Sequence, residues 1–287
     1  MTGSTMDLDL DHLRGWIGRT MTGHDTIDAR RAAALAATLD LESPPADGEP
    51  LPPLWHWLGF LPCDRASELG DDGHARRGGF LPPVPLPRRM WAGSQFEFHR
   101  PLRVGQAAER ISTIRAVDLK QGRSGTLAFV RVEHALRDAD GPLLNEWHDI
   151  VYREAAAPGS EPPAPQPAPD QATWTWPLAP DPVLLFRYSA LTFNGHRIHY
   201  DRSYVTGVEG YPGLVVHGPL QATLLMELLR RERPDATVAG FAFRALRPVF
   251  DTAPLTVCGA LNDDGAAHLW IRDADGALAM DATATLR

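Results

Sequence analysis

Apolar and polar positions alternate along two stretches of the chain, and each stretch follows a run with helical spacing. In the first, Asp25-Thr26-Ile27-Asp28 opens a predicted helix through Leu41, which Asp25 or Thr26 can cap and which Ala, Leu and Arg favour. A loop rich in proline and tryptophan follows over 44–62, and a second proline-rich loop over 78–89. Predicted strands come next at Ser94–Arg100, Glu109–Val117, Thr126–Arg137 and Asn145–Arg153. Phe129-Val130-Arg131-Val132-Glu133 has the period-two alternation of an antiparallel strand with one buried face, and Asp140-Gly141 is a hairpin signal. In the second stretch, Pro219–Arg231 reads as a helix, with proline in its first turn and Arg230-Arg231 at its end. Leu220, Thr223, Leu224 and Leu228 share one face of it. Strands follow at Thr237–Leu246, Leu255–Asn262, His268–Arg272 and Leu278–Leu286, with turns at 263–265 and 273–276. A helix and then antiparallel strands, twice over, predicts an α+β duplication. A long helix wrapped by a curved sheet, the hot-dog arrangement, is one form, and other α+β sandwiches share its periodicity.

The proline-rich segment after Ala155 offers almost nothing to bury before Trp174, so it predicts an extended linker. The chain then divides into an N-terminal half (1–155), a linker (156–182) and a C-terminal half (183–287). A net charge of −8 argues against a general nucleic-acid binder but leaves room for a local basic pocket. Two distant cysteines, Cys63 and Cys258, make neither a disulfide framework nor a zinc site. The stretch from Met1 to Leu10 lacks the basic start and apolar run of a signal peptide, and no segment is apolar for long enough to span a bilayer. A cytoplasmic protein without a membrane partner is the expectation.

Chemistry concentrates between residues 186 and 219. Asn194, His196, Arg197 and His199 crowd one polar stretch, and histidine is the side chain suited to moving protons near neutral pH. The alternative for each histidine is a turn cap or a partner for a buried carbonyl. His-x-x-His at 196 and 199, with or without His217, lacks the acidic ligand and helical context of a zinc site, so no metal is expected. At His217-Gly218-Pro219 a glycine amide and a helix N-terminus can polarise a carbonyl, although Gly-Pro helix starts are common. Lys120, Arg123, Arg244 and Arg247 are candidates for phosphates or a carboxylate, with Arg88 and Arg89 as further cations, although a solvated surface charge is the commoner role for each. Trp55, Trp57 and Phe60 either pack in the core or line an apolar pocket.

These residues resemble the MaoC-like hydratase/dehydratase family. More closely, they resemble its double hot-dog branch, which includes mesaconyl-C4-CoA (3-methylfumaryl-CoA) hydratases and yeast-type mitochondrial 3-hydroxyacyl-thioester dehydratases type 2. In the N-terminal half the resemblance rests on Arg88 to Gly93, Phe98 to Gly105, Lys120 to Gly125 and Asp149 to Arg153. In the C-terminal half it rests on Arg187 to Asp201, Tyr211 to Pro219 and Phe243 to Pro248. It implies that His199 is the family histidine of Asp-x-x-x-x-His and that Gly218 supplies the amide for a thioester carbonyl. Asn194 falls on the family aspartate, and an amide is neither acid nor base, so it is left to orient water. Asp201 can share proton transfer, but a turn or helix cap is its preferred reading.

The resemblance further implies a non-catalytic N-terminal half and a hydro-lyase acting on a CoA or acyl-carrier thioester. No metal or redox cofactor is needed, because the thioester acidifies the α-carbon. A mesaconyl-C4-CoA-type hydratase is the leading expectation, with Arg197, Arg244 and Arg247 as candidates for the free carboxylate and His217 as a further substrate contact. The alternatives are a (3R)-hydroxyacyl-CoA/ACP dehydratase, a non-catalytic acyl-CoA-binding hot dog and a thioesterase. Homo-oligomerisation stays open.

Overall fold

A computed structural model describes residues 8–122, 125–154 and 164–287. Its strands are β1 (Thr20–Thr26), β2 (Arg88–Phe98), β3 (Ala107–Gly122), β4 (Gly125–Asp138), β5 (Gly141–Arg153), β6 (Trp174–Leu178), β7 (Val238–Ala245), β8 (Leu255–Leu261), β9 (Ala267–Arg272) and β10 (Leu278–Leu286). They form one sheet in the order β1-β3-β4-β5-β2-β7-β10-β9-β8-β6. Counted outward from the central β2–β7 pair, the order is second, fifth, fourth, third, first strand of each half. That mirrored order is the duplication predicted from the alternating segments, and it is the layout of a double hot dog.

The helices are α1 (Leu10–Arg14), α2 (Ala29–Thr38), α3 (Pro182–Leu191), α4 (Arg202–Gly207) and α5 (Gly218–Glu232). The two halves differ in their helices. Helix α5 is buried continuously from Leu220 to Leu229 and packs against β6, β8, β9 and β10. Each of its enclosed leucines contributes roughly 1.5–3 kcal/mol. The N-terminal half has no helix of that length among the described residues. Its ten-residue α2 packs on α3 instead, so a long wrapped helix occurs once rather than twice. On the N-terminal sheet a second core gathers Val84 and Leu86 from the proline-rich loop over Ile114, Val130, Ile150 and Tyr152.

Several predicted boundaries move, and β2 begins at Arg88, inside the predicted 78–89 loop. Asp25 and Thr26 belong to strand β1, and α2 begins at Ala29 with the Asp28 carboxylate accepting from the Arg31 amide. Pairing of Thr20–Thr26 with β3 overrides the local helical preference there. The predicted linker also contains β6, an edge strand paired with β8. Trp174 and Trp176 pack against the core, and an edge accepts Pro177, which has no N–H to give. Residues 155–163 of that linker lie outside the described residues. No described helix is long and apolar enough to cross a membrane.

The seam between the halves is a five-residue register from Gly93↔Arg244 to Glu97↔Gly240. A Cβ at position 93 would collide with the Phe243 carbonyl, so the close approach at the start of the seam requires glycine. A register shift between Trp91 and Gly93 aligns Arg89 opposite Tyr152 and Ser94 opposite His148. Arg89, Trp91, Ser94 and Phe96 thereby share the core-facing side of the sheet with Tyr152, Ile150, His148 and Glu146.

Candidate active site

Three segments meet at the site. The first follows α3. The Asn194 amide donates to the Ser189 carbonyl (2.8 Å), and its side-chain Oδ1 accepts from the His196 amide (3.0 Å). This turn leaves the Asn194 Nδ2 end available to a water. A single 3-10 turn, Arg197–His199, presents His199. Asp201 then caps α4 by accepting from the Tyr204 amide (3.0 Å), which is the structural role preferred for it from sequence.

The second segment, Leu214–Gly218, is pinned on both sides. Leu214 N–H donates to Asp251 Oδ1 (2.8 Å), Val215 N–H to the Ile198 carbonyl (3.0 Å) and Val216 N–H to the Val249 carbonyl (2.9 Å). His199 Nδ1 donates to the Val215 carbonyl at 2.7 Å. That bond fixes the tautomer and leaves Nε2 as a bare lone pair. The His199 ring lies flat on His217, with centroids 3.7 Å apart and planes 18° apart. His217 is fully buried, and its Nε2 meets the Ser189 hydroxyl at 2.8 Å. It is a platform under His199, not the substrate contact expected for it.

The next residue is Gly218, the first of α5, where amides lack intrahelical acceptors. Pro219 removes one of those donors, so the Gly218 N–H gains weight. The space where a Cβ would stand at 218 is open. Residues before proline avoid helical angles because the proline ring meets their Cβ, and glycine escapes that restriction. His199 is thus stacked on the residue that immediately precedes Gly218.

The third segment comes from the N-terminal half, and no sequence motif announces it. Residues 70–77 are stitched to the first segment: the Arg197 amide donates to the Asp72 carbonyl (2.9 Å), and Arg197 Nη1 donates to the Asp71 carbonyl (3.0 Å). Gly73, at φ +87°, packs so closely on the Gly195 carbonyl that any side chain would overlap it. Asp72 Oδ2 thereby meets His74 Nδ1 at 3.0 Å, and the His74 ring lies 4.0 Å from that of His196. His196 stands edge-on to His199 at 5.4 Å. Asp72, His74 and His196 are also the described residues whose ligand atoms, within 4.8 Å of one another, could hold a metal ion. The only local signal for this segment is Asp-Gly-His within a loop rich in glycine and proline.

Burial sets the protonation of this row. It pulls His199 down to about 4, although the Val215 hydrogen bond opposes the shift. It also lowers His196 to about 2, helped by the charges of His74 and His199, and it lowers His217 and His74. The row is neutral at pH 7, so the His199 Nε2 lone pair is unprotonated, while burial weakens its affinity for a proton. A second buried polar group lies on the sheet. Glu146 accepts from the Trp57 indole (3.2 Å) and Ser94 hydroxyl (3.3 Å) and meets His56 Nε2 (3.2 Å), with His134 and His148 close by. Burial raises the Glu146 carboxyl, but its hydrogen bonds and neighbouring histidines outweigh that and hold it down at about 2.

The same burial predicts acid sensitivity. His199 and His148 titrate at about 4 and His134 at about 3, below the ordinary 6.5, so the unfolded chain takes up protons first. Their contribution to stability is complete above pH 6.5 and is lost as pH falls toward 4, a tenfold difference in proton affinity being worth about 1.4 kcal/mol. The melting temperature should drop clearly between pH 7.5 and pH 5. A flat profile there would contradict this arrangement. The Glu146 contribution falls only at lower pH.

The candidate cations fare differently. Arg197 is engaged: Nε and Nη2 bind Asp201 Oδ2 (3.0 and 2.8 Å), and the guanidinium covers the Tyr204 ring. Arg247 pairs with Asp273 (3.0 Å). Arg244 is exposed on the opposite side of β7 from Phe243, because neighbouring strand residues alternate faces. Lys120 is exposed and lies over Phe129. Arg123 lies outside the described residues. Arg88 pairs with Glu209, whereas Arg89 has no ion-pair partner among the described residues. It faces inward opposite Tyr152, whose hydroxyl is buried without a hydrogen-bond partner. Its charge reaches both His74 and His196. Trp55 is a core residue that donates to Glu227 (3.0 Å), while Trp57 lies beside Trp91 and Phe96. An open depression lined by His24, Asp25, Glu109 and Arg137 holds none of the site residues.

Comparison with known proteins covers the same segments. The family described as hydroxyacyl-thioester dehydratase type 2 matches residues 54–251. A mesaconyl-C(4)-CoA hydratase of Chloroflexus aurantiacus is 51% identical over 276 residues, 94% of this chain and 96% of that protein. A mitochondrial hydroxyacyl-thioester dehydratase type 2 of Schizosaccharomyces pombe is 30% identical over 251 residues, 77% of this chain and 80% of its own length. Among solved structures, HtdX of Mycobacterium tuberculosis superposes with a TM-score of 0.68 at 22% identity, over 93% of this chain and 99% of that one.

Proposed function

The chain belongs to the hydroxyacyl-thioester dehydratase type 2 family, and from that premise we propose that it hydrates a dicarboxylic enoyl-CoA of the mesaconyl-C4-CoA (3-methylfumaryl-CoA) type. The observation that carries this reading is His199, its Nδ1 committed to the Val215 carbonyl and its ring stacked on the residue before Gly218, where the space for a Cβ is open. The thioester carbonyl accepts from Gly218 N–H, where one such donor is worth about 3 kcal/mol as charge builds on the oxygen. Asn194 orients a water. His199 Nε2 takes its proton as the hydroxyl bonds to the β-carbon, and the enolate then takes a proton at the α-carbon. The thioester supplies the electron sink, so the reaction calls for neither a redox cofactor nor a Lewis acid. The strong likeness to a bacterial hydratase supports a cytoplasmic enzyme acting on free CoA thioesters.

The substrate's second carboxylate needs a cation, and Arg89 faces inward with no ion-pair partner among the described residues. Replacing Arg89 with alanine should raise KM for mesaconyl-C4-CoA by roughly 10- to 100-fold, the cost of a charged hydrogen bond, and leave crotonyl-CoA kinetics unchanged. Equal effects on both substrates would remove Arg89 from this role.

The decisive experiment is a small acyl-CoA panel followed at once for enoyl absorbance and free thiol. Gain or loss of enoyl absorbance supports hydration. Thiol release would show a thioesterase, and neither signal would show a non-catalytic binder. The same groups run the reverse reaction, and the likeness to the fission-yeast protein favours a (3R)-hydroxyacyl thioester dehydratase as the second reading. Faster turnover of a linear 3-hydroxyacyl thioester than of mesaconyl-C4-CoA would select it.

A further inference from the structure

The sequence raises His196 and His199 as a metal pair, but the fold turns their rings edge-on, 90° apart, and commits His199 Nδ1 to the Val215 carbonyl. A different set converges. Asp72, His74 and His196 each bring one ligand atom into a group in which no two lie more than 4.8 Å apart. Asp72 Oδ2 and His74 Nδ1 stand at 3.0 Å, close to the spacing of two donors on one small cation. The His196 ring meets the His74 ring with centroids 4.0 Å apart and planes 40° apart. Among the described residues neither ring nitrogen of His196 has a hydrogen-bond partner; its backbone amide is the group bound to Asn194.

We propose that Asp72, His74 and His196 bind one divalent transition-metal ion of the Zn²⁺ type, which fastens a loop of the N-terminal half to the turn presenting His199. The frame for the site is built by the protein alone. The Arg197 amide donates to the Asp72 carbonyl at 2.9 Å, Arg197 Nη1 donates to the Asp71 carbonyl at 3.0 Å, and Gly73 packs on the Gly195 carbonyl. The two ligand-bearing segments are thus held together beforehand, which lowers the ordering cost of binding. Donors on a tetrahedral Zn²⁺ lie about 3.3 Å from one another, so side-chain rotations suffice to close the group. Two imidazoles and one carboxylate suit Zn²⁺, Co²⁺ or Ni²⁺, whereas Mg²⁺ and Ca²⁺ prefer oxygen ligands. The His74 ring offers its Nδ1 lone pair by placing its hydrogen on Nε2, a change of tautomer without a change of charge. Three protein ligands leave a fourth position for water.

Neighbouring charges set the strength. Asp72 supplies one negative charge as a ligand, and the charge of Asp71 reaches the same side, where both act on Tyr204. Arg77 and Arg89 oppose a cation: both charges reach His74, and that of Arg89 also reaches His196. Arg77 is held on the Val84 and Pro87 carbonyls (2.6 and 2.8 Å), which draws its guanidinium toward the proline-rich loop. With three ligands and this opposition, binding is expected in the micromolar range, far weaker than in a closed four-ligand zinc site.

The test measures binding to the full chain and involves no turnover, so it stands or falls apart from the hydration reading. Protein stripped with a chelator and titrated with Zn²⁺ should bind one ion with a Kd of about 10 µM or tighter. Zn²⁺ at about 100 times Kd should raise the melting temperature by at least about 4 °C, and Mg²⁺ should not. His196→Ala and His74→Asn, whose amide can keep the bond to Asp72, should each weaken Zn²⁺ binding at least about 100-fold and abolish that rise. Cys63→Ser, which removes the exposed thiol, should change neither. X-ray absorption of the wild-type Zn²⁺ complex covers the case of a variant that does not fold. It should show two imidazoles and oxygen donors at about 2.0–2.1 Å. Binding weaker than the expected Kd, binding that survives both histidine variants, or a sulfur ligand on the ion would overturn the site.

Discussion

Replacing His199 with asparagine is expected to lower kcat/KM on the hydration substrate roughly 10³-fold, within the range for loss of a general base, while the fold survives. Asparagine is the informative choice. Its Nδ2 can stand where the imidazole Nδ1 stands, so the buried Val215 carbonyl keeps its donor while the reactive Nε2 disappears. Alanine would remove both and open a gap over His217. An unpaired buried carbonyl costs about 1–3 kcal/mol, so the alanine protein should also melt earlier. Comparing the two separates chemistry from stability. Retention of wild-type turnover by the asparagine protein, on a substrate the wild type hydrates, would remove His199 from the mechanism.

The second large effect is expected at Gly218. Nothing occupies the space that a Cβ would enter there, so Gly218→Ala should fold almost normally, losing no more than about 1 kcal/mol from the pre-proline restriction. That methyl group would stand on the approach to the amide. If the thioester carbonyl docks there, kcat/KM should fall roughly 10²-fold, close to the loss of one oxyanion donor. The check is the ratio of damage: a large kinetic loss with a small change in melting temperature. Unchanged kinetics would move the carbonyl elsewhere.

Much of this arrangement is legible in the sequence, and what is not has physical causes. The eight predicted strands all form, because period-two alternation survives wherever one face of a sheet is buried. The edge strands β1 and β6 escape notice: one is polar and sits beside helix-favouring residues, the other hides among prolines. Helix α3 is obscured by Val183 and Phe186, which are apolar yet exposed and blur its pattern. Asn194, His199 and Gly218 stand out as candidates because they lie within two short segments whose local chemistry is distinctive. Asp72 and His74 are not, since only the folded chain lays their loop against Gly195. The arginines show the limit from another direction. Sequence reveals charge, whereas partners decide availability: Arg197 and Arg247 are engaged, Arg244 faces away, and Arg89 remains.

The central β2–β7 pairing lies within a single polypeptide. A covalent tether holds such partners at an effective concentration in the millimolar range or above. Specific activity should therefore hold constant on dilution into the nanomolar range, where two separately encoded halves would drift apart. The two halves are also free of any requirement to be identical, which lets one present His199 while the other lends the 70–77 loop.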